Sequence, residues 1–170
     1  MRIESLRPSD RSQLLQLAVD TTLFTAEEAE SLLGQILDGF ASENMPQGHE
    51  AACYIGSAGE APVGWCYFAP DDHAEGVWNL WWLGVTPKLH GSGAGHELLA
   101  HVERRVEAEG GRLLVIETSA SNELSRARRF YASHGYAECG RVPHFYAENE
   151  SKVIFARQLP GPASQETPPK

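Results

Sequence analysis

Apolar positions recur at two periods along this chain. Residues 2–6 alternate as a strand does, and Leu14, Leu15, Ala18 and Val19 follow at helical spacing behind a Ser9-Asp10 cap. A second helix is predicted from Thr25, with Ala29, Leu32, Leu33, Ile36, Leu37 and Phe40 turned inward. Glu28 stands three after Thr25 and completes a capping box, which makes helix initiation its favoured role. Residues 51–56 and 63–69 are β-rich and predict a hairpin about 57–62, with Asp71-Asp72-His73 as the next turn. Residues 77–85 are apolar on both faces, as in a central strand covered on both sides, and their three tryptophans read as core or pocket wall. Leu98, Leu99, Val102 and Val106 then line a helix ended by Gly110-Gly111. Residues 112–118 (RLLVIET) predict another central strand, and a helix follows that closes at Gly135. Residues 136–142 and 152–159 predict a last pair of strands, before a polar, Pro-rich tail over 160–170 that is expected to be disordered.

The stretch LWWLGVTPKLHGSGAG, residues 80–95, joins the central strand to the long helix. Gly91, Gly93 and Gly95 lack a Cβ, so the backbone there can turn sharply and bring its N–H groups close to an anion. The start of the next helix adds unpaired donors and about half a positive charge. A phosphorylated ligand fits this layout; a glycine turn with nothing bound is the plainer alternative. Counting from Gly91 puts His96 where a dinucleotide fingerprint needs its last glycine, and Gly95-His96-Glu97 lacks the Gly-Lys-Ser/Thr of a P-loop.

The strand end Val85-Thr86-Pro87 and the loop His90-Gly91-Ser92-Gly93-Ala94-Gly95 resemble motif A of the GCN5-related N-acetyltransferases (GNAT). His90 departs from the Gln or Arg usual there. Ala127, Phe130, Tyr131, Gly135 and Tyr136 resemble motif B of the same family, so two motifs stand in the right order. The resemblance implies an α/β (α+β) GNAT fold: a mixed, mostly antiparallel sheet of six or seven strands, splayed between strands 4 and 5 and flanked by about four helices. It implies one N-acetyltransferase domain over residues 1–159, acetyl-CoA as donor, and a primary amine as acceptor. His90, Gly91, Ser92, Gly93, Ala94, Gly95 and His96 are then expected at the pyrophosphate, and Leu83, Gly84 and Val85 along the pantetheine arm. The resemblance makes Tyr131 the general acid beside the CoA sulfur.

Residues 117–122 (ETSASN) are similar to a stretch of the ribosomal-protein alanine acetyltransferases, in which the equivalent of Glu117 is the base and that of Asn122 touches the cofactor. Asn122 lies nine residues before Tyr131, two more than in those relatives, so either a turn is inserted or Asn122 is not the equivalent residue. A strand-end structural carboxylate remains the alternative for Glu117. Arg126, Arg128 and Arg129 stand near the CoA phosphates or are solvated helix charges. His144-Phe145-Tyr146, in the loop expected between the last strands, lies where relatives form the acceptor pocket. A phenol of pKa ~10 could protonate a thiolate of cysteine-like pKa ~8.5 for only ~2 kcal/mol. Deprotonating a lysine at pH 7.4 costs ~4 kcal/mol against under ~1 for an α-amine, so a base matters more for the former.

The 170 residues suffice for one two-layer domain. Residues 1–80 carry thirteen Asp/Glu against three Arg, while 81–170 carry ten against eleven Lys/Arg, within an overall net charge of −9. Such a body disfavours nucleic acid and favours a cationic acceptor by steering. No run reaches the ~18 apolar residues of a membrane span and no signal region opens the chain, so a cytoplasmic protein is expected. Cys53, Cys66 and Cys139 are far apart and read as buried thiols. No metal is expected: His96 and His101 in H-E-x-x-x-H fall ~140° apart around a helix and cannot share an ion. A non-catalytic acyl-CoA sensor is the competing class; a dinucleotide-dependent oxidoreductase is disfavoured by the glycine spacing.

Overall fold

The computed structural model describes residues 2–56 and 61–160. The elements in order are β1 (Arg2–Ser5), α1 (Arg11–Asp20), α2 (Ala26–Ala29), α3 (Gln35–Ala41), β2 (Glu50–Ile55), β3 (Pro62–Pro70), β4 (Val77–Val85), α4 (Ala94–Ala108), β5 (Leu113–Ser119), α5 (Ser125–Ser133), β6 (Ala137–Ala147) and β7 (Glu150–Gln158). A π-helical turn (Glu30–Gly34) joins α2 to α3. The strands form one seven-stranded sheet in the order β1-β2-β3-β4-β5-β7-β6. It is mixed, with β4 and β5 the parallel neighbours, as the resemblance implied. The 57–60 part of the β2–β3 turn and the 161–170 part of the tail lie outside the described residues. Contacts group the chain into two units, Met1–Ala69 with Leu80–Val102 and Pro70–Asn79 with Glu103–Lys170.

In the first unit β1, β2 and β3 pair antiparallel, with Glu4 opposite Cys53 and Cys53 opposite Trp65. Leu14, Leu17, Ala18, Ala29, Leu33 and Leu37 pack with Cys53, Ile55, Trp65 and Tyr67 as its core. The Thr25–Glu28 capping box forms as expected: Glu28 N donates to Thr25 Oγ1 (3.2 Å) and Thr25 N to Glu28 Oε2 (2.8 Å). Three local expectations are corrected. Asp10 does not cap α1; its buried carboxylate accepts from Arg7 N and Arg7 Nε, both at 3.1 Å, in a tight turn ahead of the helix. Leu32 is exposed: it lies in the π turn, whose larger number of residues per turn shifts the three- and four-residue spacing off the buried face. In β4, Trp81 is 55% exposed, so that strand is not covered on both faces along its length.

In the second unit β5 and β6 both pair antiparallel with β7. Gly110, at φ +79°, ends α4, and Gly111 N reaches back to the Val106 carbonyl at 2.8 Å. A Cβ on Gly111 would stand 2.3 Å from Val106 Cγ1 and 2.8 Å from Trp78 Cδ1, so α4 and β4 meet there only over glycine. Two expectations fail on the edge strand. β6 runs to Ala147, so His144-Phe145-Tyr146 belongs to its distorted end, with His144 at φ +55°, and not to a loop. Cys139 lies on the same strand and is exposed, whereas Cys53 and Cys66 are buried.

Candidate functional site

The glycine loop lies in the first unit. Thr86 N donates to the Val63 carbonyl at 2.8 Å and ends β4; Pro87–Leu89 makes one 3-10 turn, and the Leu89 carbonyl accepts Ser92 N (3.1 Å) and Ser92 Oγ (2.7 Å). This curl puts Gly91 and Gly93 at φ +82° and +93°. A Cβ on either would meet nothing within 4 Å, so conformation and not crowding requires glycine there. Gly91, Ser92 and Gly93 are exposed, which leaves their backbone open to solvent. The first helical bond of α4 runs from Glu97 N to the Gly93 carbonyl at 3.0 Å, so the amides of Ala94 and Gly95 point out of the helix start without an intrahelical acceptor. Gly95 is therefore a helix residue and not a turn glycine, a correction to the even-spaced loop. His90 Nε2–H donates to the Val85 carbonyl at 3.1 Å and ties the loop to the end of β4. His96 is exposed on the first turn of α4.

Leu83, Gly84 and Val85 close β4, the last two buried. Trp82 lies across Gly84: a Cβ there would stand 2.6 Å from Trp82 Cζ2. Sequence reasoning missed this contact, whose only signal was a glycine two residues after a tryptophan in a strand.

The other candidates lie in the second unit. Glu117 on β5 faces Lys152 on β7, with Nζ 2.5 Å from Oε2. The register explains the pair: Glu117 is opposite Ile154 and Ser119 opposite Lys152, which makes Glu117 and Lys152 diagonal neighbours on one face. Lys152 is only 13% exposed, and its ammonium sits 3.7 Å from the centre of the Phe145 ring. Glu117 thus has a firm structural partner, invisible until β5 and β7 are paired.

Asn122 is exposed in a turn, its carbonyl accepting Ser125 N at 3.0 Å. Arg128 Nη1 donates to the carbonyls of Ser119 (2.5 Å) and Ser121 (2.7 Å), so Arg128 braces that turn and is not a spare cation for phosphate. Arg126 and Arg129 are exposed. Tyr131 is 7% exposed, with Phe130, Tyr136 and Phe155 ring centres at 5.4, 6.1 and 6.1 Å. Burial holds its phenol well above the ordinary tyrosine range. Tyr136 OH donates to Glu103 Oε1 at 2.9 Å, and Arg157 Nη1 reaches the same oxygen at 2.7 Å. Burial first, and then the Glu103 carboxylate, push the Tyr136 phenol up as well.

Among the described residues no group of three His, Cys, Asp or Glu is placed to hold a metal ion. No described helix is long and apolar enough to cross a membrane.

An open glycine turn leads onto a helix start directly after a buried strand end, a layout of backbone donors suited to an anionic ligand. Comparison with known families agrees: residues 12–136 match the acetyltransferase (GNAT) family. The chain belongs to that family. A GNAT-family structure from Desulfovibrio desulfuricans is 27% identical, with a TM-score of 0.87 over 94% of this chain and 99% of that one. The ribosomal-protein-S18-alanine N-acetyltransferase of Escherichia coli shares the fold at 19% identity and TM-score 0.68, over 96% of this chain and 97% of that one. An aminoglycoside 6'-N-acetyltransferase complexed with coenzyme A does so at 18% identity and TM-score 0.72, over 95% and 99%. No curated protein matches the chain.

Proposed function

We propose that residues 1–159 form an N-acetyltransferase domain that moves the acetyl group of acetyl-CoA to a primary amine by direct attack in a ternary complex. The observation that carries this reading is the loop. Gly91 and Gly93 hold left-handed φ with no neighbour to explain it, directly before a fifteen-residue helix. Backbone donors so arranged suit a pyrophosphate. In this reading His90 to His96 hold the pyrophosphate, His90 by fixing the loop against Val85. Leu83, Gly84 and Val85 lie along the pantetheine arm, their N–H groups polarising the thioester carbonyl, and Asn122 adds a cofactor contact.

The amine nitrogen bonds to the thioester carbon, the C–S bond breaks, the amine proton passes to Glu117 directly or through water, and the thiolate takes a proton from Tyr131. The Lys152 ammonium holds Glu117 Oε2, so Oε1 is the oxygen that receives the proton. The raised Tyr131 phenol is always protonated at neutral pH but parts with its proton less readily than a phenol in water. A hydrogen bond from the phenol to the sulfur forms first, and the proton follows as negative charge builds on the leaving thiolate. The acidic first half of the chain favours a cationic acceptor.

The test is acetyl-CoA-dependent thiol release with an amine panel, wild type against Glu117→Gln, across pH 6 to 9. A rate intact in the variant across that range removes Glu117 from the role of base.

A further inference from the structure

The indole N–H groups of Trp65 and Trp82 are buried and have no hydrogen-bond partner. A buried indole N–H ordinarily has one, because the donor loses its water on burial. Their ring centres are 5.6 Å apart and the planes are tilted by 39°, not in the perpendicular arrangement that would aim one N–H into the other ring. Phe24 flanks Trp82 at 5.7 Å. Packing alone gives no reason for indoles here, since phenylalanine would fill apolar space without stranding a donor.

Trp82 stands beside the Leu83–Val85 stretch. Its ring lies along β4 so that a Cβ on Gly84 would stand 2.6 Å from Cζ2, 3.0 Å from Cε2 and 3.3 Å from Nε1. The pyrrole edge of the indole, with its nitrogen, thus borders the space a Gly84 side chain would take, in the middle of the Leu83–Val85 stretch. Trp65 is fully enclosed and backs the pair, while Trp82 is only partly buried as a residue.

We infer that Trp82 is a ligand-contacting residue whose indole N–H donates a hydrogen bond to a carbonyl oxygen of a molecule bound along Leu83–Val85. This rests on the proposed function. A carbonyl at that place has two sources, acetyl-CoA, through its thioester or pantetheine amides, and an acceptor with a carbonyl beside its amine.

The test compares wild type with Trp82→Phe, which keeps an aromatic ring and removes the donor. Binding of acetyl-CoA and of CoA is measured by calorimetry, and kcat/KM is measured with glycinamide and with propylamine. Loss of one neutral hydrogen bond is expected to cost about three- to tenfold. The loss falls on acetyl-CoA alone if the thioester oxygen is the partner, on acetyl-CoA and CoA alike if a pantetheine amide is, and on glycinamide but not propylamine if the acceptor is. Gly84→Ala, which displaces the ring and keeps the donor, should give the same pattern, and adding it to Trp82→Phe should lower binding no further. Trp82→Phe that changes only the melting temperature, with all four values intact, overturns the inference and leaves the acetyltransferase reading standing. A wild type that binds neither acetyl-CoA nor CoA overturns that reading, and the inference with it.

Discussion

Replacing Gly93 by alanine isolates what the loop's backbone contributes. Gly93 sits at φ +93° and an added Cβ meets nothing within 4 Å, so the substitution carries no steric term. What remains is the cost of a left-handed backbone for an L-residue, about 1–2 kcal/mol. That cost must emerge in one of two places. If the loop keeps its shape, the unliganded protein loses the full amount, which lowers Tm by about 2–8 °C for a chain of this size, and acetyl-CoA affinity is unchanged. If the loop relaxes to negative φ, Tm holds and the affinity falls about 5- to 30-fold, because binding must restore the strained shape. Thermal unfolding of the unliganded protein and calorimetric titration with acetyl-CoA read the two shares, and their sum should stay within that range. Gly93→Asn should recover part of the loss, since asparagine tolerates the left-handed region. Gly110→Ala is the control: at φ +79° and equally uncrowded, it should lower Tm alike and leave acetyl-CoA affinity unaltered. A Gly93→Ala protein with both Tm and affinity unchanged would mean that the loop does not need a left-handed residue at this position.

Glu117→Gln should slow turnover on a lysine-like amine by roughly 10²-fold or more at pH 7, and less on an α-amine, whose deprotonation costs less. Tyr131→Phe should lower kcat with little change in acetyl-CoA KM; an unaltered kcat would remove Tyr131 from the leaving-group step. Lys152→Met breaks a pair whose carboxylate is one-third exposed, so it should cost on the order of 1 kcal/mol and lower Tm by no more than about 4 °C. Burial pushes the Cys53 and Cys66 thiols from 9.0 up to about 12, so the folded state keeps protons that the unfolded chain releases first. Their contribution is full below pH 9 and is lost as pH rises toward 12, so Tm should be lower at pH 10.5 than at pH 8; an equal or higher value contradicts the burial. A thiol reagent at pH 8 should label Cys139 quickly and the other two only on unfolding.

What could be read from the sequence was local. The Thr25–Glu28 box, the apolar face of α4 and the Gly91–Gly93 turn each depend on residues within one turn of helix or loop, and each stands in the structure. What escaped depends on partners distant in sequence or on a shift of period. Leu32 carries the spacing of a core residue, and only the π turn exposes it. Lys152 is thirty-five residues from Glu117 and becomes its neighbour through the β5–β7 register. Arg128 has the look of a solvated helix charge until the Ser119 and Ser121 carbonyls are seen against it. Trp82 reads as bulk apolar surface, and its stranded donor is a property of packing that no spacing encodes.

Coenzyme A binding at the glycine loop can be read from thermal unfolding with acetyl-CoA, CoA and NADPH in parallel, each at high concentration. A ligand present at one hundred times its Kd adds about 2.7 kcal/mol to the stability of the folded state, or roughly 5 to 11 °C in Tm for a chain of this length. The expected result is a shift of that size with acetyl-CoA and CoA and none with NADPH. A shift with NADPH alone, or with none of the three, contradicts the assignment of the glycine loop to coenzyme A.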